Sequence, residues 1–472
     1  MKKDIKNQRF LESLRESKES QRDKEIEKFR KYNYFIWATR PSSVCREYAF
    51  MKSFSDNGVK MFIAIPQNEK VSSFFFDRES YMIMCRKVLN RVLKRWKKHL
   101  KDYPKLKKKV IESAKRLSNS IAKSSKEELW DLYKECLKAM YDFNDYIMIP
   151  FALNELCEAE ILKKFNNFDV IMQANKLTEY QKMEIMLLKE SPEKTAKEFG
   201  WLNVYSLMED PYTAEELRNI KKGLKKEKID KMLDAIKANK KEFSRFLTCV
   251  KDEDLRMKCI LMHEYVFIKN DRVEAWKKML FYQIPFFKYL AKMFNDKEIT
   301  SKTTANLMPR EIKQILYRVL PNPNELKKRN KPFIHYYDTD IHIVTDKKKI
   351  NEIKSIVEKK VKQQDFVEGK TGNPGKAYGR VALVLSLYDL KKVKRGNVLV
   401  SSVTDPRYTP YMRKCSAVVT DEGGMLSHAV ITSRELNVPC IVGTKIGTRI
   451  FKDGDYVEVD ADKGIVKILK RK

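Results

Sequence analysis

Apolar positions in the first 330 residues recur at helical spacing. Ile111, Ala114, Leu117 and Ile121 repeat at three and four, as do Leu129, Leu132, Cys136 and Met140, which predicts helices with one buried face. Phe10, Leu14, Ile26 and Phe29 mark one or two surface helices in a charged opening stretch. Ser125 with Glu128, and Thr213 with Glu216, have the spacing of capping boxes, in which each side chain bonds the other residue's backbone N–H at a helix start. Glycine hardly interrupts this region, with only Gly58, Gly200 and Gly223. Residues 1–330 are therefore expected to form a large all-α domain.

The pattern changes near residue 330. FIHYYDTDIHIVTD (residues 333–346) is aromatic and β-branched with a turn at DTD, and reads as a short hairpin. A charged helix over 348–362 follows, making 331–363 a hairpin-plus-helix unit. Residues 364–378 contain Gly369, Gly372 and Gly375, and with Gly379 these are four of the chain's 14 glycines; such a stretch reads as a hinge. Over 379–472 the period becomes two. VALVLSL, NVLVSSV, SAVVTDE and CIVGT are short β-runs, YVEVDADKGIVKIL is a hairpin turning at 462–464, and one helix over 427–436 is inserted. The fold class expected is α+β and multidomain: the large all-α domain, then a small β/α module.

Composition narrows the function classes. The chain has 472 residues and is 43% hydrophobic, enough for a sizeable core and too apolar for wholesale disorder. No apolar run approaches a membrane span, and the opening residues lack the apolar middle of a secretory signal. The eight cysteines include no CxxC pair, so a cytoplasmic protein with reduced thiols is expected. The formal charge of +33 raises nucleic acid as a partner. However, residues from Phe366 onward carry 19 Lys+Arg and 11 Asp+Glu, so the excess is spread over both parts of the chain. The densest run, residues 91–109, has Val92, Trp96 and Leu100 along one face and reads as a solvated helix. Neither a nucleic-acid nor a membrane partner is expected.

The segment that carries chemistry is TDEGGMLSHAVITSRELNVPCIVGT (residues 420–444). A buried strand ends in a Gly-Gly loop and a helix starts at Ser427 and His428. A helix N-terminus offers unpaired N–H groups and a partial positive charge, and Gly423 and Gly424 let backbone approach a ligand closely. Together they suit a phosphate. The same positive helix end keeps His428 neutral and nucleophilic. Thr420, Ser427 and Arg434 are candidate donors to phosphoryl oxygens, Arg434 only by folding back from two turns along. The residues alone leave two readings open: a histidine that accepts a phosphoryl group, or a tight connection carrying a surface histidine.

This segment closely resembles the phosphohistidine signature of the phosphoenolpyruvate-utilising enzymes. The resemblance extends upstream through GNVLVSSVTDPRYTPYMRKCSAVVTDEGG and downstream through DGDYVEVDADKGIVKIL, about a fifth of the chain. It implies that His428 is phosphorylated, with Thr420, Gly423, Gly424, Ser427 and Arg434 binding phosphate, on a module that swivels between donor and acceptor sites. Ser433 and Cys440 depart mildly from the pattern, and Cys440, after Pro439 on an apolar strand, reads as a small core residue. The order of domains is similar to rifampin phosphotransferase or phosphoenolpyruvate synthase-like proteins without the ATP-grasp domain. This implies a phosphotransferase component: Mg-ATP on a separate ATP-grasp partner, or phosphoenolpyruvate, as donor, and an unidentified small-molecule acceptor on the helical domain. No cofactor bound by this chain and no metal ligand are expected. The alternatives are a binding or regulatory protein that kept the module and, resting on charge alone, a nucleic-acid-binding protein. Among other residues, His263 and His99 read as packed or solvated helix residues, His335 and His342 as poor metal ligands, and the run 281–294 as core first and apolar pocket second.

Overall fold

The structure is a computed structural model that describes residues 26–67, 71–165, 169–358, 364–425 and 427–472. The opening around Phe10 and Leu14 lies outside the described residues. Both capping boxes form: Ser125 Oγ accepts from the Glu128 N–H and Glu128 accepts from the Ser125 N–H, and Thr213 and Glu216 repeat the pattern. The first body is built on three long helices, α1 (Trp96–Ser120), α2 (Lys126–Leu156) and α3 (Glu253–Lys292), with α1 packed along both others.

This body is not all-α. Strands β1 (Tyr34–Pro41), β2 (Phe62–Pro66) and β3 (Val71–Asp77) join the expected hairpin, β4 (Ile334–Tyr337) and β5 (Ile341–Val344), in one five-stranded antiparallel sheet of order β1-β3-β2-β4-β5. Its two faces are both covered. Trp37, Phe62, Phe74 and Phe76 pack toward α2 and the Val44–Asp56 helix, while Ile63, Ile65 and Phe75 pack with Phe29, Ile353 and Val357. The helix after the hairpin, Lys347–Val357, therefore lids the second face, and residues 331–358 belong to the first body rather than to a separate unit.

The basic run 91–109 is not one helix: the Arg78–Leu93 helix ends within it and α1 begins at Trp96, and several of its charges are paired. Arg91 and Arg95 pair with Asp145, Lys107 with Asp271 and Lys109 with Asp142.

The C-terminal module is an eight-stranded sheet of order β6-β13-β12-β8-β9-β10-β11-β7. Its strands are β6 (Phe366–Glu368), β7 (Lys370–Asn373), β8 (Lys376–Val384), β9 (Val398–Ser401), β10 (Ala417–Thr420), β11 (Cys440–Val442), β12 (Tyr456–Asp460) and β13 (Ile465–Lys470). β8 to β11 are parallel, and the strands beyond them antiparallel. Helix α4 (His428–Leu436) crosses from β10 to β11. Cys440 is fully buried in β11 and all eight thiols are free.

The Gly-rich segment is not a hinge. Residues 366–373 pair as β6 and β7 on opposite ends of the sheet, and 376–384 are β8. Its glycines are there for close approach. A Cβ on Gly369 would lie 2.6 Å from Ile441 Cγ2, and one on Gly379 2.4 Å from the Gly396 carbonyl oxygen, distances that real Cβ atoms do not adopt. Gly379→Ala is therefore expected to destabilise the protein by about 1–3 kcal/mol, the usual cost of overpacking, in urea unfolding. An unchanged midpoint would restore the hinge reading.

Candidate functional site

The β10 strand delivers the chain to the Gly-Gly loop, and its last residue, Thr420, is fully buried. Thr420 Oγ1 donates to the Glu422 carbonyl at 2.6 Å, while its own carbonyl accepts from the backbone and hydroxyl of Thr444. Its role is to shape the loop, not to face His428. Asp421, also buried, accepts from Thr444 Oγ1 at 2.8 Å and from the backbone and hydroxyl of Thr448, tying the loop to the segment after β11. Gly423 has φ +119° and a Cβ there would meet Ser427 at 2.9 Å, so this turn needs glycine. Gly424 faces the first body: a Cβ there would lie 2.9 Å from Glu158 Oε2.

Ser427 is the N-cap of α4, its hydroxyl accepting from the Val430 N–H at 3.4 Å, and His428 is the first helical residue. The imidazole sits among three threonine hydroxyls. Thr404 Oγ1 is 2.9 Å from Nδ1, and Thr432 and Thr409 Oγ1 are 3.1 and 3.4 Å from Nε2. Burial pushes the ring down to about 4, assisted by Lys269 of α3 and opposed by Asp405, so it is neutral at pH 7.

Of the expected site residues, the structure brings Gly423, Gly424 and Ser427 to the loop and helix end that carry His428. Arg434 is elsewhere: its Nε donates to the Gly372 carbonyl at 3.0 Å, fastening α4 to β7. Six residues along a helix is 600° of rotation, which leaves Arg434 about 120° around α4 from His428. The hydroxyls of Thr404, Thr409 and Thr432 were not anticipated. Thr432 had a signal, since i+4 on a helix shares a face with i; Thr404 follows β9 and Thr409 opens the short Thr409–Met412 helix, and only the fold brings them near.

The histidine faces the first body across a polar seam. Arg407, beside Asp405 at 2.9 Å, also reaches Asn203 and Glu209 at 3.4 Å. Lys370 donates to Glu158 at 3.2 Å, Ser402 to the Thr39 carbonyl at 3.5 Å and Arg413 to the Gly223 carbonyl at 3.1 Å. Met425, from the Gly-Gly loop, packs against the first body's apolar core.

The remaining candidates are structural in their surroundings. His99 bonds Tyr265 and stacks on Tyr146, His263 faces the Ile171 carbonyl at 3.0 Å and stacks on Phe243, and His342 lies 3.0 Å from Asp338. Both nitrogens of His335 are buried without a partner among the described residues. Phe286, Phe287 and Leu290 of the 281–294 run are core. Among the described residues, no group of three or more His, Cys, Asp or Glu is placed to hold a metal, and no helix is long and apolar enough to cross a membrane.

Residues 393–464 match the model of the family described as PEP-utilising enzyme, mobile domain, which agrees with the resemblance drawn from the motif. The chain is 43% identical over 124 residues to a probable phosphoenolpyruvate synthase of Archaeoglobus fulgidus, covering 26% of this chain and 16% of that protein. It is 46% identical over 112 residues to the phosphoenolpyruvate synthase of Pyrococcus furiosus, covering 23% and 14%. The chain thus spans less than a fifth of the length of these relatives. The NMR solution structure of the Enzyme I (nEIt) protein aligns over 64% of this chain and 83% of that one, at 16% identity and a TM-score of 0.19, too low to argue from.

A ring held near 4 refuses a proton that an exposed ring, ordinarily near 6.5, would accept. The docked state therefore loses stability as pH falls from about 6.5 toward 4, and His99 and His335, held at about 4 and 3 by burial within the first body, make folding of that body lose stability over the same range. In an NMR titration the His428 ring is expected to titrate near pH 4, and Lys269→Met to raise that midpoint. A wild-type midpoint between 6 and 7 would mean that the ring is solvated.

Proposed function

We propose that His428 carries a phosphoryl group, taking it from a donor and passing it to an acceptor held by the first body. The observation that carries this reading is a neutral imidazole at the start of α4, with hydroxyls against both ring nitrogens. With the Nδ1 proton donated to Thr404 Oγ1, Nε2 is unprotonated, and its lone pair is released when the Thr432 and Thr409 hydroxyls turn to the incoming phosphoryl oxygens. It attacks phosphorus, the N–P bond forms, and the donor's P–O bond breaks with the electron pair leaving on the donor oxygen. In the second step the acceptor's hydroxyl oxygen attacks phosphorus, its proton passes to water, and the N–P electron pair returns to Nε2. Thr432 and Thr409 lie where hydroxyls steady phosphoryl oxygens, and the helix end stabilises their negative charge.

The donor in this reading is ATP on a separate ATP-grasp partner, or phosphoenolpyruvate, with Mg²⁺ accompanying the nucleotide at the partner's site. The seam supports a module that docks and leaves. It is built from ion pairs and hydrogen bonds, and contacts of this kind between domains separate more readily than apolar ones. With His428 turned toward the first body, the docked arrangement is suited to discharge onto an acceptor there.

Intact mass under alkaline conditions, where phosphohistidine survives, tests the reading after incubation with ATP, phosphoenolpyruvate and host lysate. One added phosphate is expected in the wild type and none in His428→Ala. Thr404→Val is expected to slow incorporation roughly tenfold, the weight of one orienting hydrogen bond. Phosphate that persists in His428→Ala rejects the assignment. A stable phosphohistidine that no acceptor discharges favours the regulatory alternative.

A further inference from the structure

The interior of the first body holds a small cavity, about 40 Å³, whose lining includes Trp37, Arg40, Arg46, Tyr205, Arg272 and Trp276. It has room for a small polyatomic group but not for a ring system. Four N–H groups of this lining are buried with no acceptor among the described residues: Nε1 of Trp37 and of Trp276, and Nε of Arg40 and of Arg46. Trp37, Arg46 and Trp276 are only 5, 8 and 5% exposed. All four groups are donors. An unpaired buried donor costs about 1–3 kcal/mol, so a cluster at one cavity calls for an acceptor rich in lone pairs.

The cations around them sharpen the requirement. The Arg40 guanidinium lies 4.2 Å from the centre of the Trp37 ring, and Arg46 and the Lys277 ammonium lie 4.9 and 5.5 Å from the centre of the Tyr205 ring. Glu47 is the one carboxylate in the lining, and Arg46 engages it. Other carboxylates lie farther out, Glu422 toward Arg40, and Asp405, Glu209 and Glu274 toward Lys277. Burial alone would raise the Tyr205 phenol, yet Arg40 and Arg46 bring it below its ordinary range. Negative charge is favoured at the Tyr205 oxygen, whereas at Glu47 burial outweighs Arg46 and Arg40 and raises the carboxyl.

The cavity also belongs to the side of the seam that His428 faces. Lys269 influences His428 and is itself influenced by Arg272. Glu422, in the loop just before His428, acts on Arg40, and Ser402 touches the carbonyl of Thr39.

We propose that this cavity binds the oxyanion end, carboxylate or phosphate, of the acceptor; that it is the acceptor rests on the phosphoryl-carrier reading of His428. The anion accepts from the two indole N–H groups and the two guanidinium Nε groups, and the remainder of the molecule extends toward the histidine.

The test is isothermal titration calorimetry of the full chain with inorganic phosphate and, separately, with acetate, at ionic strength fixed with chloride. One anion is expected to bind saturably, and which one tells a phosphate ester from a carboxylic acid. Arg46→Ala is expected to weaken that binding tenfold or more, since a charge-assisted hydrogen bond contributes about 1.5–3 kcal/mol and about 1.4 kcal/mol is tenfold. Trp276→Phe, which keeps a ring and removes the N–H, is expected to weaken it severalfold, and it decides the matter if Arg46→Ala does not fold. No saturable binding of either anion, or binding that the folded variants leave unchanged, overturns the proposal. The two readings fail separately. His428→Ala loses phosphate incorporation but keeps anion binding, so a missing phosphate adduct leaves the cavity assignment standing, and absent anion binding leaves the carrier standing.

Discussion

The first body is organised around charges buried in the middle of α3. Asp271, Arg272, Glu274 and Lys277 fall within one stretch of this 40-residue helix and all are buried. Each reaches a different neighbour. Asp271 accepts from Tyr103 and Lys107 of α1, both at 2.7 Å, and Arg272 donates to the Ile147 carbonyl of α2 at 2.7 Å. Glu274 accepts from the backbone of Glu179 and Tyr180, and Lys277 donates to the Leu202 carbonyl at 2.9 Å. Removing a charge from water costs several kcal/mol, and an apolar residue of the same size often packs as well or better. What the charges add is position, because each fixes one segment against α3 by a directional contact that apolar packing would leave free to slide.

The same helix sets the terms on which the module docks. Lys269, two residues before Asp271, meets the module beside His428, and burial with Arg272 nearby lowers it to about 8, against the pull of Glu158 and Glu422. A cation there opposes protonation of the imidazole and attracts a phosphoryl group. On the carrier reading, the charge of the phosphorylated ring then strengthens the seam and its discharge weakens it. The interaction that favours docking is thus the one that transfer removes.

Much of the module was legible because its loop chemistry is local, although its central strands are buried on both faces like those of the first body. The Gly-Gly turn, the N-cap Ser427 and the first helical residue His428 follow one another in sequence, so spacing alone places them. The first-body sheet was hidden for the opposite reason. FIAIP and VSSFFFD are buried on both faces, so no alternation survives, and β4, the far partner of FIAIP, lies more than 250 residues away. The glycines of 369–379 misled because freedom to move and freedom from a Cβ look the same in a sequence. Only the contacts at Ile441 and Gly396 separate the two. Arg434 was assigned by charge, but its position six residues along α4 turns it to Gly372.

On the carrier reading, glycine packing limits how the module can move. With β6 and β7 stitched to β13 and β11 at opposite ends of the sheet, the module is a nearly closed unit up to its first strand, and Gly369 sits where the two ends meet, its N–H donating to the Gly464 carbonyl at 2.8 Å. Bending within 366–379 would break sheet pairs and is therefore costly. On the carrier reading, a rearrangement that frees His428 moves the sheet as one unit and separates Arg407 from Glu209, Lys370 from Glu158 and Met425 from the first body's core.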